Sequence, residues 1–126
     1  MTDKRLLVVD DEPEFGEFVR KVAAASGFEV EVTSDAAAFK TVYDAFDPTV
    51  VVLDVVMPDV DGLELVKWLA ERKSTVHLIV VTGYNPDYSE YARKIGGARG
   101  LQRVTNLAKP VALAVLRAAL DDSGDA

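Results

Sequence analysis

The chain contains no cysteine, so it can form neither disulfide bonds nor thiolate metal sites. It also lacks long hydrophobic runs: no apolar stretch approaches the roughly 20 residues of a membrane span. The N-terminus has no apolar segment of the kind that a secretory signal peptide requires. These absences make the cytoplasm the expected compartment and give no reason to expect a membrane partner.

Basic residues are scarce, with 14 lysines and arginines against 21 aspartates and glutamates and a formal net charge of −7. A nucleic-acid-binding face needs clustered basic residues, so this balance argues against direct contact with nucleic acid. The apolar fraction of 49% is that of an ordinary globular protein. A chain of 126 residues fits one domain that buries roughly two-thirds of the surface exposed by the unfolded chain.

Short apolar runs alternate with amphipathic segments along the chain. The runs predict five strands, over residues 6–9, 30–32, 50–53, 77–81 and 102–108. The other segments predict five helices, over residues 13–27, 36–46, 63–69, 89–95 and 110–120. This alternation implies an α/β fold with a parallel sheet covered on both faces. The domain is expected to span residues 1–121, followed by a flexible polar tail over 122–126.

Polar side chains stand where four of the predicted strands end. Asp10 and Asp11 follow the first strand, Asp54 the third, Thr82 the fourth and Lys109 the fifth. In an open parallel sheet, ligands bind at the carboxyl ends of the strands. Three carboxylates, a hydroxyl and an amine brought together there predict a site for a divalent cation and a phosphoryl group.

The three aspartates are the core of the predicted site. Taken alone, Asp10 and Asp11 would more simply be a solvated turn or a helix-capping pair, and Glu12 a residue that suits the helix dipole. Together with Asp54 they crowd like charges, which a raised pKa, a nearby cation or a bound divalent metal can compensate. Mg²⁺ binds through one or two carboxylates plus phosphate oxygens, so it is the cofactor that this pattern favours.

The residues at the other strand ends complete the predicted chemistry. Asp54 is the candidate nucleophile, because carboxylates form aspartyl-phosphate intermediates, and its simpler role is that of a metal ligand. Lys109 can pair with Asp54 and then with a phosphoryl oxygen, whereas a lysine without these carboxylates would be interpreted as exposed. The Thr82 hydroxyl can donate to a phosphoryl oxygen, although threonine is also an ordinary strand residue. His77, the single histidine, begins a strand away from these ends and is interpreted as structural.

Four motifs in this order resemble the receiver (phosphoacceptor) domain of two-component response regulators. They are Val-Val-Asp-Asp-Glu-Pro at 8–13, Leu-Asp-Val-Val-Met-Pro-Asp-Val-Asp-Gly at 53–62, Val-Thr-Gly at 81–83 and Lys109-Pro110. The resemblance spans residues 4 to about 120. It implies a flavodoxin-like (βα)5 fold, which is a doubly wound parallel five-stranded sheet with strand order 2-1-3-4-5.

The same resemblance implies a role for each site residue. Asp54 is the implied phosphorylation site, and Thr82 and Lys109 take the roles that bind the phosphoryl group and switch the domain. The Lys109-Pro110 peptide bond is typically cis in such domains. The implied ligands of Mg²⁺ are Asp10, Asp11, Asp54 and the backbone carbonyl of Val56.

The resemblance also implies partners. The phosphodonor would be a histidine kinase or a histidine phosphotransfer protein, and the downstream partner an unidentified protein. Formation of a homodimer is left open. The face that resembles a kinase-docking surface comprises Glu14, Phe15, Phe18 and Lys21 of the first helix, and the loop at Pro110 and Val111.

The sequence departs from the family pattern at two places. Asn106 stands three positions before the site lysine, where an aromatic residue is usual, so the switch that couples threonine to an aromatic ring is expected to differ here. The segment over 82–109 is several residues longer than usual and contains a glycine-rich stretch at 96–100. Partners are therefore expected to recognise the surface around the predicted fourth helix and fifth strand differently.

The favoured function is a phosphorylation-dependent signalling module rather than an enzyme with external substrates. A pseudo-receiver that binds partners without phosphorylation is the alternative, although the complete set of site residues argues against it. A Mg²⁺-dependent phosphatase would need an acid–base carboxylate beside the nucleophile, where Val55 and Val56 stand. Since no output domain follows, the chain is expected to act by binding a partner, relaying phosphate or draining a kinase, unless it is a piece of a larger regulator.

Overall fold

The structure is built on one sheet of five parallel strands. The computed structural model describes residues 4–54, 62–72, 76–82 and 103–124. The strands are β1 (Arg5–Val9), β2 (Glu29–Thr33), β3 (Val50–Asp54), β4 (His77–Thr82) and β5 (Arg103–Ala108). Their order in the sheet is β2-β1-β3-β4-β5, which confirms the predicted flavodoxin-like arrangement.

Helices cover both faces of the sheet in the part of the chain that the structure describes. They are α1 (Pro13–Ala25), α2 (Ala36–Phe46), α3 (Gly62–Glu71) and α4 (Leu113–Gly124). The helix predicted over 89–95 lies outside the described residues. None of the described helices is long and apolar enough to span a bilayer.

Local sequence signals set the ends of the first two helices. Pro13 occupies the first turn of α1, where its missing N–H costs no hydrogen bond. Asp35 caps α2, because its side chain accepts a hydrogen bond of 2.8 Å from the backbone N–H of Ala38. The helix stops at Asp47, whose φ of 52° is left-handed, and Pro48 follows.

The last helix differs from its predicted range at both ends. It begins at Leu113 rather than at residue 110, because the backbone N–H groups of Val115 and Leu116 both donate to the carbonyl of Ala112. It continues to Gly124, so the polar tail predicted from residue 122 starts with a last turn of helix. The apolar periodicity stops earlier than the helix does, because polar residues can continue a helix beyond its apolar face.

The alternation of side chains along the strands divides the core into two layers. One layer joins the sheet to α2 and α3, and its buried members include Leu7, Leu53, Val80, Phe39 and Leu65. The other joins the sheet to α1 and α4, and its buried members include Leu6, Val52, Ile79, Val19 and Leu116. The central strands are apolar along most of their length because both of their faces are covered.

A glycine allows α1 to lie close to the edge strand. A Cβ atom added to Gly16 would stand 2.8 Å from Cγ1 of Val32, so a larger residue would press the helix away from β2. Because Gly16 lies in the second turn of α1, this close approach keeps the start of the helix beside the carboxyl ends of β1 and β2. The residues that begin α1 are therefore held at the predicted site.

Candidate functional site

The ends of β1 and β3 bring two buried aspartates together. The two strands are paired in register up to the residues just before Asp10 and Asp54. The relative exposures of these aspartates are 2% and 3%. One carboxylate oxygen from each of Asp10, Asp11, Glu12 and Asp54 lies within 4.8 Å of the others. The structure thus assembles the predicted aspartate cluster and adds Glu12 to it.

The ammonium group of Lys109 lies among these carboxylates. Its Nζ donates to Oδ2 of Asp10 at 2.9 Å and to Oδ2 of Asp54 at 3.3 Å, and it also donates to Oε1 of Glu12. The centre of the Phe15 ring stands 4.5 Å from Nζ, within the range of a cation–π contact. The Lys109-Pro110 peptide bond is cis, as the resemblance implies.

Burial and ion pairing act in opposite directions on Asp10 and Lys109. Burial raises the pKa of Asp10 above its ordinary value, and hydrogen bonds from the Glu12 backbone N–H and from Lys109 lower it only in part. Burial alone would lower the pKa of Lys109, but hydrogen bonds to Glu12 and Asp10 and the nearby aspartate charges raise it above its ordinary value. The ion pairs thus raise the pKa of Lys109 above its ordinary value but do not bring the pKa of Asp10 down to its own. The reason is that one ammonium group is shared among three carboxylates.

A buried threonine fixes the end of β1. The backbone N–H of Asp10 donates to the carbonyl of Thr33 at 3.1 Å, and the Thr33 hydroxyl donates to the carbonyl of Val8 at 2.7 Å. These bonds hold the Asp10 backbone in place between β2 and the site. Sequence patterns did not single out Thr33, although a threonine closing an otherwise alternating strand is the signal that could have found it.

The donor set suits a hard divalent cation. Mg²⁺ takes oxygen ligands, and the carboxylates of Asp10, Asp11 and Asp54 are close enough together to provide them. The Lys109 ammonium adds positive charge beside two of these carboxylates, those of Asp10 and Asp54. Val56, whose carbonyl is a predicted ligand, lies outside the described residues, and Thr82 is the last residue of β4; the roles of the Val56 carbonyl and the Thr82 hydroxyl stay predictions.

Two neighbouring polar residues of β5 have different surroundings. Thr105 Oγ1 and Nε2 of the buried His77 are hydrogen-bonded at 2.7 Å, which supports the structural interpretation of His77. Asn106 lies opposite Val80 of β4, and its buried Oδ1 finds no donor among the residues that the structure describes. The half-buried residue that stands in place of the usual aromatic ring therefore carries a buried oxygen without a donor among the described residues.

A groove of about 480 Å³ opens beside Lys109. It lies between the start of α1 and the loop after β5, and it is lined by Glu12, Glu14, Phe15, Phe18, Lys109, Pro110 and Val111. Phe15 and Phe18 are half-buried, with ring centroids 6.1 Å apart. The groove contains most of the docking residues predicted from the sequence, and Lys21 is not part of its lining.

The chain belongs to the response regulator receiver domain family, whose model matches residues 6–121. It is similar to the photosynthetic apparatus regulatory protein RegA of Rhodovulum sulfidophilum, with 31% identity over 124 residues, which are 98% of this chain and 65% of RegA. It is also similar to the transcriptional regulatory protein TrcR of Mycobacterium tuberculosis, with 40% identity over 67 residues, which are 53% of this chain and 26% of TrcR. The chain thus spans between about a quarter and two-thirds of the length of these relatives.

Solved structures agree with this assignment. A response regulator from Colwellia psychrerythraea superposes with a TM-score of 0.79 and 27% identity, and the match covers 98% of each chain. The receiver domain of the Francisella response regulator 1452 shares the fold, with a TM-score of 0.81, 20% identity and 97% of each chain covered. Together with the family match, these likenesses confirm a receiver domain of two-component signalling.

Replacing Asp10 by asparagine is expected to stabilise the protein when divalent cations are removed. The pKa of Asp10 is higher in the folded chain than in the unfolded chain, so its ionised form costs stability at neutral pH. This cost disappears as the pH falls below the pKa of the unfolded chain. In urea unfolding at pH 7 with EDTA, the free energy of unfolding should rise by the order of 1 kcal/mol.

The control for this substitution is Asp35→Asn, because asparagine caps a helix as well as aspartate does and Asp35 lies outside the site. Its free energy of unfolding should match that of the wild type. An Asp10→Asn variant less stable than the wild type in EDTA would show that the ion pair with Lys109 outweighs the burial of Asp10.

Replacing Asn106 by leucine is expected to stabilise the fold, because it removes a buried acceptor that has no donor among the described residues. The gain in free energy of unfolding should be about 1 kcal/mol. The adjacent change Thr105→Val should lower it by about the same amount, because it breaks the hydrogen bond to His77. Urea unfolding of both variants checks the pair, and a loss of stability in Asn106→Leu would contradict this account of Asn106.

Proposed function

We propose that this chain accepts a phosphoryl group on Asp54 from the phosphohistidine of a histidine kinase or a histidine phosphotransfer protein. The observation that carries the proposal is the buried Asp54 carboxylate, whose Oδ2 lies 3.3 Å from the Lys109 ammonium inside a cluster of oxygen donors. The groups that would stabilise the charge of an incoming phosphoryl group therefore stand beside this carboxylate before the donor arrives. The membership of the chain in the receiver family supports the same reading.

The transfer would exchange one bond to phosphorus for another. A carboxylate oxygen of Asp54 forms the new bond while the P–N bond to the donor histidine breaks, and the imidazole leaves with the bonding electron pair. Lys109 donates to an oxygen of the incoming phosphoryl group, where charge develops. When bound by Asp10, Asp11 and Asp54, Mg²⁺ supplies positive charge that offsets the negative phosphoryl oxygens.

The groove beside Lys109 is the surface that we propose for the phosphodonor. Its half-buried Phe15 and Phe18 offer an apolar contact, and Glu12 and Glu14 give it an acidic rim. Because Lys109 lines the same groove, a partner seated there stands directly beside the acceptor. An amphipathic helix that carries the phosphohistidine is the shape that suits such a groove.

The proposal describes a phosphoacceptor that takes part in its own phosphoryl transfer and not an enzyme that turns over external substrates. The downstream protein partner, a homodimer and the cytoplasmic location stay predictions. The pseudo-receiver alternative is not favoured, because the structure brings Asp10, Asp11, Asp54 and Lys109 together.

Incubation with acetyl phosphate and Mg²⁺ is expected to add one phosphoryl group to the wild-type protein. The Asp54→Asn variant should remain unmodified, because an amide oxygen is a far poorer nucleophile than a carboxylate. Intact-mass spectrometry at pH 7 measures the adduct. The exposed Asp121→Asn variant is the matched control and should be modified as the wild type is.

Two results would contradict the proposal. A folded wild type that gains no mass would indicate a pseudo-receiver, which binds its partners without phosphorylation. Steady hydrolysis of an added phosphate ester by the wild type would indicate a phosphatase, since the proposed acceptor does not turn over external substrates.

Replacing Phe18 by alanine is expected to slow phosphorylation by a histidine donor about tenfold, the loss that truncation of a docking aromatic residue commonly causes. Phosphorylation by acetyl phosphate should change little, because this small donor needs no docking surface. The readout is the initial rate with a phosphorylated histidine kinase or phosphotransfer protein that modifies the wild type. Val115→Ala, at an exposed site on α4 outside the groove, should leave both rates unchanged. Equal slowing with both donors would remove the groove from the docking proposal.

A further inference from the structure

Glu12 occupies the N-cap position of α1 without capping the helix. N-cap residues are usually short polar side chains that accept a hydrogen bond from the first turn. The Glu12 side chain makes no such bond, and its Oε1 instead accepts from Nζ of Lys109, which is 97 residues away in the chain. Its backbone N–H donates to Oδ1 of Asp10 at 2.8 Å, so the residue contacts the site through both main chain and side chain.

The three carboxylates that share Lys109 differ in their access to solvent. The side chains of Asp10 and Asp54 are 1% and 4% exposed, whereas that of Glu12 is 53% exposed. Among the described residues, Lys109 therefore has two inner carboxylate partners and one outer one. The Phe15 ring, 4.5 Å from Nζ, lies on the side of α1 and offers the ammonium group a second favourable contact near Glu12.

A divalent cation and the ammonium group compete for the same carboxylates. Asp10 belongs to the set of carboxylates that suits a metal, and its Oδ2 accepts the hydrogen bond of 2.9 Å from Lys109. Two cations on one carboxylate repel each other, so withdrawal of the ammonium group from Asp10 would favour the binding of a metal ion there. An outer carboxylate lowers the cost of that withdrawal, because Lys109 keeps an ion partner.

We propose that Glu12 is a positioning residue that holds Lys109 on the outer side of the cluster, so that Asp10 is available to a divalent cation while Lys109 stays beside Asp54. The role in phosphoryl transfer rests on the proposed function, whereas the effect on cation binding does not. Glu12 acts through its contact with Lys109, and it is not the residue that accepts the phosphoryl group. Without Glu12, the ion partners of Lys109 among the described residues would be the two buried aspartates, and the lysine would then oppose the metal.

The test measures the Kd for Mg²⁺ by isothermal titration calorimetry, without any phosphodonor, for the wild type and for Glu12→Gln. The substitution should weaken binding about three- to fivefold, the fold-change that ion pairs with an exposed partner typically produce. Glu14→Gln is the matched control, because Glu14 has the same charge and lines the same groove. It should weaken binding clearly less than Glu12→Gln does.

A second variant separates positioning from simple charge. Glu12→Asp keeps the negative charge and improves the N-cap, but its side chain is one methylene too short to keep the contact with Lys109. It should weaken Mg²⁺ binding as Glu12→Gln does while the protein remains at least as stable as the wild type. Wild-type affinity in Glu12→Asp would overturn the proposal, because charge alone would then explain the effect.

Removal of the lysine completes a double-mutant cycle. In a Lys109→Gln background the ammonium group no longer competes, so Glu12→Gln should weaken Mg²⁺ binding no more than Glu14→Gln does. An equal or larger effect of Glu12→Gln without Lys109 would overturn the proposal, because Glu12 would then act directly on the metal. A folded wild type that binds no Mg²⁺ would overturn it as well.

The cycle also separates this inference from the proposed function. If acetyl phosphate modifies the wild type but the Glu12 variants bind Mg²⁺ as the wild type does, the positioning role fails and the phosphoacceptor stands. If the Glu12 variants show the expected pattern but no adduct forms on Asp54, the positioning role toward the cation stands and the phosphoacceptor fails.

Discussion

An ammonium group shared by three carboxylates is the interaction on which the rest of this site depends. Asp10 and Asp54 are buried at adjoining strand ends, where two anions repel each other and lose their hydration. Lys109, from the end of the last strand, supplies the compensating charge across 99 residues of sequence. Burial makes these charges costly to the stability of the fold. It also limits their screening by water, so the charges interact strongly with any charged group that enters the site.

The parallel sheet is what allows residues so distant in sequence to meet. Because all five strands run the same way, the residues that follow β1, β3 and β5 reach one edge of the sheet. The two apolar layers beneath them stabilise the fold by burying hydrophobic surface. The crowded carboxylates lower the stability of the fold. The apolar core compensates for this loss, so the domain can keep a destabilising cluster at the carboxyl ends of its strands.

The sequence predicted what depends on local pattern and strand direction. Apolar runs and their polar ends were sufficient to place Asp10, Asp54 and Lys109 together, since a parallel sheet brings strand ends to one edge. The sequence does not predict contacts between long side chains that are distant in the chain, because such contacts depend on the conformation that each side chain adopts. The dipole argument for Glu12 explains its position at the helix start, but its partner is decided by the approach of Lys109. The hydrogen bonds of Thr33 likewise follow from the pairing of β1 with β2 and not from either strand alone.

Lys109 also links the chemistry of the site to the surface that we propose for docking. The same side chain pairs with Asp54 inside the cluster and lines the groove together with Glu12 and Phe15. A partner that fills this groove would contact Glu12, which we propose to hold Lys109 on the outer side of the cluster. Its arrival would therefore change the position of a charge beside the acceptor through direct contact, without a long pathway through the fold. Under the proposed function, docking and phosphoryl transfer would be coupled, because Lys109 would take part in both.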